Sequence, residues 1–110
     1  MNEFEDGLRR YFTDTDLKKI QKIKIGIAGA GGLGSNIAVC LVRSGFKSFE
    51  IIDYDTVEKS NLNRQFYFLQ DIGKPKVVAL KDHLLAINPD LDIKLCFQKM
   101  DNNNCGVFFA

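Results

Sequence analysis

The stretch Gly29-Ala30-Gly31-Gly32-Leu33-Gly34 constrains this chain more than any other, because of what flanks it. Before it, residues 22–28 place Ile23, Ile25 and Ile27 in the period-two rhythm of a strand. After it, Leu33, Ile37 and Leu41, with the adjacent Ala38 and Val42, predict one apolar helix face. That helix stops at Gly45, a residue suited to the turn that follows a helix. A second strand is expected at Ser48–Asp53, where Phe49, Ile51 and Ile52 are the apolar content. Strand, glycine turn, helix and strand in that order make a β-turn-α-β unit with parallel strands.

The pattern then repeats. Residues 54–73 are polar and irregular, and Pro75 suits the first turn of another helix. Val77, Leu80, Leu84 and Ile87 mark its apolar side, and Asn88-Pro89 ends it. Residues 91–97 alternate as a third strand, and residues 101–104 are placed to cap a last helix. Ahead of all this, Phe4, Leu8, Tyr11 and Phe12 fall near helical spacing, and a second short helix is predicted from a cap at Asp14 or Thr15. The expected class is α/β, a Rossmann-like doubly wound parallel sheet. Its β-α-β-α-β portion is preceded by a helical leader over residues 1–21. Three strands are about half of such a sheet. Residues 22–110 therefore read as the N-terminal part of a nucleotide-binding domain truncated on its C-terminal side.

Composition excludes several classes of function. Fifteen Lys and Arg against fourteen Asp and Glu leave a net charge of +1, which argues against a protein that coats nucleic acid. Residues 1–22 carry five charges of each sign, so no basic arm hides within that average. The longest early apolar run, residues 23–28, is too short to span a bilayer, and the N-terminus has acids where a secretory signal needs bases. Cys40, Cys96 and Cys105 are odd in number and include no CxxC pair, so reduced thiols in a cytoplasmic protein are expected.

The glycines then acquire chemical meaning. In a Gly29-x-Gly31-x-x-Gly34 turn between strand and helix, the first glycine permits the tight turn and the second admits a phosphate to the backbone. The third allows close helix–strand packing, and the helix N-terminus attracts anionic charge. Asp53 lies nineteen residues after Gly34, where a carboxylate can accept hydrogen bonds from ribose hydroxyls. No lysine follows Gly34, where Ser35-Asn36 stand, so this is not a Walker A loop. To this point an NAD(P)-dependent oxidoreductase fits as well as anything.

The next stretch, Asp53-Tyr54-Asp55-Thr56-Val57-Glu58-Lys59-Ser60-Asn61-Leu62-Asn63-Arg64-Gln65, shifts that balance. With the glycine turn, with Gly73-Lys74-Pro75-Lys76-Val77 and with Ile87-Asn88-Pro89, it resembles the ubiquitin-activating-enzyme-like adenylyltransferases over about residues 20–95. Within them the chain looks most like the ThiF-type enzymes that adenylate the thiamine sulfur carrier ThiS. The MoeB branch of molybdopterin synthesis and the tRNA threonylcarbamoyladenosine dehydratases are the alternatives. The resemblance implies that ATP, with Mg²⁺, adenylates the C-terminal glycine carboxylate of a ubiquitin-like sulfur carrier in thiamine biosynthesis. It also implies a homodimer. By position, Gly29, Gly31, Gly32 and Gly34 would lie beneath the nucleotide and Asp53 would hold the ribose. Asn61, Arg64 and Lys76 would bind phosphates, with Arg64 and Lys76 as the catalytic cations. Asp55 joins the nucleotide-binding group, with a turn or cap role as its alternative.

Other positions carry plainer expectations. The family's magnesium-binding aspartate is expected beyond Ala110, so no metal ligand is assigned within the chain. Arg9 and Arg10 stand where relatives carry an arginine that reaches the partner subunit's site, but Leu8-Arg9-Arg10-Tyr11-Phe12 departs from that pattern, and surface charge is the alternative. His83 has no ligand-spaced partner and reads as a surface or flank residue. Phe66, Tyr67 and Phe68, with Val107-Phe108-Phe109, are expected to supply loop packing or apolar dimer surface. A binding module without turnover is the reading from a different class. Arg64 and Lys76 suit a triphosphate better than a nicotinamide, so calorimetry on the intact protein should show tighter binding of MgATP than of NAD. Tighter NAD binding would overturn the adenylyltransferase reading.

Overall fold

The computed structural model describes residues 2–63, 65 and 67–97, and of Asn61 only the backbone. Arg64, Phe66, the helix expected after residues 101–104, Cys105 and Val107-Phe108-Phe109 lie outside the described residues. The order of elements is α1 (Glu3–Leu8), α2 (Asp14–Gln21), β1 (Lys24–Ala28), α3 (Gly32–Arg43), β2 (Ser48–Asp53), α4 (Lys76–Ile87) and β3 (Asp92–Phe97).

The three strands form one sheet in the order β1-β2-β3, and both pairings are parallel. Lys24 pairs with Ser48 and Ala28 with Ile52, and on the other side Ser48 pairs with Asp92 and Asp53 with Phe97. All three strands therefore end on the same side, and the polar connections leave from one edge of the sheet. β2 is central and buries Phe49, Ile51 and Ile52. α3 and α4 pack against each other and the sheet. Ala38, Val39 and Val42 meet Val77, Ala79, Leu80 and Leu84 in the core.

The buried face of α3 differs from the one the apolar spacing predicts. Ser35, Ala38, Val39 and Val42 are buried, whereas Leu33 is 78% exposed, Ile37 is exposed and Leu41 is half-buried. Apolar residues spread over about half of this helix, so periodicity cannot tell which stripe meets the sheet. Leu33, Ile37 and Leu41 instead line an open groove of about 420 Å³ with Ile25 and Ile27, beside β1 at the edge of the described sheet.

The leader consists of the two short helices α1 and α2. Thr13, not Asp14 or Thr15, caps α2: its side chain accepts from the Asp16 N–H at 3.1 Å. Buried Glu5 of α1 accepts from Gln21 Nε2 at 2.8 Å and pairs with Lys47 Nζ at 3.1 Å. Asn2 Nδ2 donates to Asn88 Oδ1 at 2.6 Å and Asp90 Oδ2 at 2.9 Å. Polar side chains thus fasten the leader to the far end of the α/β unit.

One glycine of the turn is required sterically. A Cβ on Gly34 would lie 2.0 Å from the Gly29 carbonyl oxygen and 3.0 Å from its carbon, both backbone atoms that cannot swing aside. Gly34→Ala should therefore destabilise the fold by about 3 kcal/mol as α3 is pushed off β1. A thermal melt within a degree or two of wild type would show that the turn can yield.

Candidate functional site

Two connections meet at the C-terminal ends of β1 and β2. Gly29 turns the chain out of β1 with φ +95°, and its N–H still reaches Ile52 O at 2.8 Å. The next residue, Ala30, is fully buried and held on both sides. Its N–H donates to Asp53 Oδ2 at 2.6 Å, and its carbonyl accepts from the Tyr67 hydroxyl at 2.5 Å. Asp53 Oδ1 accepts from the Asp55 N–H at 2.9 Å, so one carboxylate ties the glycine turn to the end of β2. Asp53 reaches the expected place, but both its oxygens already serve the backbone.

α3 begins from this clasp. Its N-cap is Gly31, which offers no side chain, and the first helical bond runs from Ser35 N to Gly31 O at 2.9 Å. The amides of the first turn have no carbonyl within the helix, and with the helix dipole they form the positive end that attracts an anion.

The second connection brings Lys76 to the same side. A short antiparallel contact, Thr56 with Pro75, closes the polar segment onto the start of α4, and the Lys76 N–H donates to Asp55 O at 2.9 Å. Lys76 Nζ lies 3.8 Å from Asp55 Oδ2. Tyr54, Asp55, Thr56, Glu58 and Lys76 line a polar pocket of about 270 Å³. Lys76 is only 6% exposed, so its charge is held in place rather than freely solvated. Its stem is packed because it occupies the first turn of a helix whose next residue, Val77, is in the core. The structure thus brings Gly29–Gly34, Asp53, Asp55 and Lys76 to one side of the sheet. The backbone of Asn61 lies in a short turn, Lys59–Asn61, on the same connection.

Several residues that hold this region were misplaced or missed by sequence reasoning. Of the two expectations for Tyr67, loop packing holds and partner surface does not: it is buried under the glycine turn, and its hydroxyl also lies 3.4 Å from Lys76 O. Burial first, then the nearby charges of Asp53 and Asp71, push its phenol well above the ordinary tyrosine range. It therefore remains a protonated donor through neutral pH. Asp71 is 1% exposed, and its Oδ2 accepts from the Phe68 N–H at 2.7 Å and meets His83 Nε2 at 2.5 Å. His83 is accordingly not a surface residue. It joins α4 to the turn Leu69–Asp71, and its ring packs edge-on to half-exposed Phe68 at 4.6 Å. No local spacing in the sequence points to these partners. Arg9 is engaged within the leader, with Nε 3.2 Å from Asp14 Oδ1 and Nη1 3.8 Å from Asp6 Oδ1. Cys40 and Cys96 are free thiols.

Removing the Tyr67 hydroxyl leaves the buried Ala30 carbonyl without that donor. Tyr67→Phe should lower stability by about 1–3 kcal/mol, read as a melting temperature lower by roughly 4–8 °C per kcal/mol. An unchanged melt would show that another donor replaces it.

Comparison with known proteins agrees with this geometry. The ThiF family matches residues 6–110. The chain is 51% identical over 81 residues to the NEDD8-activating enzyme E1 catalytic subunit of Arabidopsis thaliana, covering 73% of this chain and 18% of that protein. It is 46% identical over 76 residues to SUMO-activating enzyme subunit 2 of Dictyostelium discoideum, covering 68% of this chain and 12% of that one. Among solved structures, the E. coli tRNA N6-threonylcarbamoyladenosine dehydratase TcdA in complex with ATP matches with a TM-score of 0.89 at 25% identity. That match covers 97% of this chain and 44% of the dehydratase. The chain thus spans less than half the length of each. The family match runs through the glycine turn, the Asp53–Asp55 corner and the Lys76 helix, and the chain belongs to the ThiF family.

Proposed function

We propose that this chain is the nucleotide-binding portion of an ATP-dependent adenylyltransferase that activates the C-terminal carboxylate of a ubiquitin-like protein. The observation that carries this reading is the convergence of three features at the ends of β1 and β2. These are the uncapped N-terminus of α3, the Asp53 carboxylate and the buried Lys76 ammonium. Relatives named as activating enzymes for NEDD8 and SUMO, and a structural neighbour solved with ATP, support it.

The chemistry asks for what these residues offer. A carboxylate oxygen attacks the α-phosphorus of MgATP, the bond from that phosphorus to the bridging oxygen breaks, and pyrophosphate leaves with the electron pair. Two anions must approach, and negative charge grows on the departing group. Lys76 lowers the cost of that approach from a partly dry site, where a charge acts more strongly than in water. Arg64 adds a planar fork for phosphate oxygens, and Asn61 a neutral donor. Asp53 receives the ribose through the lone pairs its backbone bonds leave open, and Asp55 holds the Lys76 ammonium in place. Gly29, Gly31, Gly32 and Gly34 keep the floor of the site at backbone level. Among the described residues no group of His, Cys, Asp and Glu is arranged to hold a metal ion, and no step here is assigned to one.

The finer assignment is a ThiS-like sulfur carrier as the protein substrate, within a homodimeric enzyme; it rests on the leader and on the Ser60–Gln65 pattern. Carrier-dependent ATP–pyrophosphate exchange by the intact protein tests the reaction, and running it with sulfur-carrier and modifier-type partners identifies the branch. Lys76→Met keeps the packed stem and removes the charge, leaving the wet Asp55 carboxylate without cost to the core. Exchange should fall by about 30- to 1000-fold, equivalent to roughly 2–4 kcal/mol of barrier, with stability within about 1 kcal/mol of wild type. Undiminished exchange would remove Lys76 from the mechanism.

A further inference from the structure

Of the three glycines that define the turn, the chain itself accounts for two. Gly29 adopts φ +95°, and Gly34 has no room for a Cβ. Gly31 is different. Its φ is −80°, a value open to any residue, and an added Cβ would rest 3.9 Å from Gln65 Nε2 and 4.0 Å from Gln65 Cδ, ordinary contact distances. Nothing in its described surroundings forbids a side chain there.

The neighbour across that gap is also unexplained by the fold. Gln65 is only 8% exposed, and its buried Oε1 has no hydrogen-bond partner among the described residues. Leaving a buried amide oxygen unpaired opposes folding, and native chains keep few such groups. The carboxamide stands beside the uncapped N-terminus of the 12-residue α3. An open glycine thus faces the Gln65 carboxamide through its nitrogen and carbon, and the same group carries the unpaired acceptor, where the helix draws in an anion.

We propose that Gln65 is a ligand-contacting residue of the nucleotide site, its carboxamide lying over Gly31 and its Oε1 accepting a hydrogen bond from the bound reactants. The assignment deepens the adenylyltransferase reading and rests on it. An ionised phosphate oxygen only accepts, so the partner of Oε1 is a neutral O–H or N–H next to the phosphates. Two reactants carry such a donor: the nucleotide, in its sugar hydroxyls, and the peptide substrate, in the N–H groups near its C-terminal carboxylate. The shared chemistry is a neutral donor adjacent to the reacting phosphate.

The test uses Gln65→Met in the intact protein, which keeps the length of the side chain and removes both polar atoms. A purely structural glutamine predicts a lower melt and unchanged ligand binding. A ligand-contacting one predicts the reverse: a melting temperature equal to or above wild type without ligand, because an unpaired buried oxygen is gone, and binding weakened about 5- to 10-fold. Weaker MgATP binding by calorimetry assigns the donor to the nucleotide. Unchanged MgATP binding with a raised KM for the carrier in pyrophosphate exchange assigns it to the peptide. Either result supports the proposal, and wild-type values in both overturn it. Gly31→Ala keeps the test decisive if Gln65→Met does not fold. It should melt like wild type yet bind MgATP more than about 10-fold less tightly, because the methyl group occupies the space kept for ligand; equal affinity would count against the site. A wild-type protein that fails to bind MgATP would overturn the nucleotide reading itself, and this assignment with it.

Discussion

Ala30 has no functional group of its own, yet the arrangement depends on how it is held. Its N–H is bound by Asp53 from the end of β2, and its carbonyl by Tyr67 from the segment that returns toward α4. Charge-assisted hydrogen bonds of the Asp53 kind are roughly twice as strong as neutral ones. The result is a peptide unit fixed from both sides in a dry environment. It settles the exit direction of β1 and the start of α3, and so where the positive end of that helix points. Two loops far apart in sequence become one rigid corner.

The second connection is built on the same economy. Asp71, buried and without exposure to share, gathers the Phe68 N–H and His83 and lies 3.8 Å from Lys74 Nζ. Asp55 gives its carbonyl to the Lys76 N–H and stands opposite its ammonium. A polar, irregular stretch that composition alone would leave as a surface loop is thereby ordered by carboxylates. Acidic side chains thus order the polar part of this segment, while its Val57 and Tyr67 join the apolar core.

Much of this was legible in advance. The alternation of Ile23, Ile25 and Ile27, the glycine turn, the apolar content of Ser48–Asp53 and the Pro75 start of α4 located the elements to within two residues, because period and punctuation are local properties. The buried face of α3 was not legible. Leu33 and Ile37 are as apolar as Val39 and Val42, and the spacing alone does not say which set meets α4 and the sheet. For Tyr67 and His83, the hydrogen-bond partners were not legible for a related reason. Their roles are set by partners at Ala30 and Asp71, thirty-seven and twelve residues away, and no spacing rule carries that information. The burial of Lys76 was not legible either, since a helix start can cover the stem of a charged residue while its end faces a polar pocket.

The leader's anchorage has a consequence for how the chain is assembled. α1 and α2 are six and eight residues long, too short to persist alone in water. Their fastenings are distant: Glu5 awaits Lys47, and Asn2 awaits Asn88 and Asp90, separations of 42, 86 and 88 residues. Glu5 also has a nearer partner in Gln21, so its contacts need only α2 and the start of β2. The bonds of Asn2, in contrast, cannot form until α4 is complete. The Asn2 contacts act as a latch that closes only over a finished strand–helix unit.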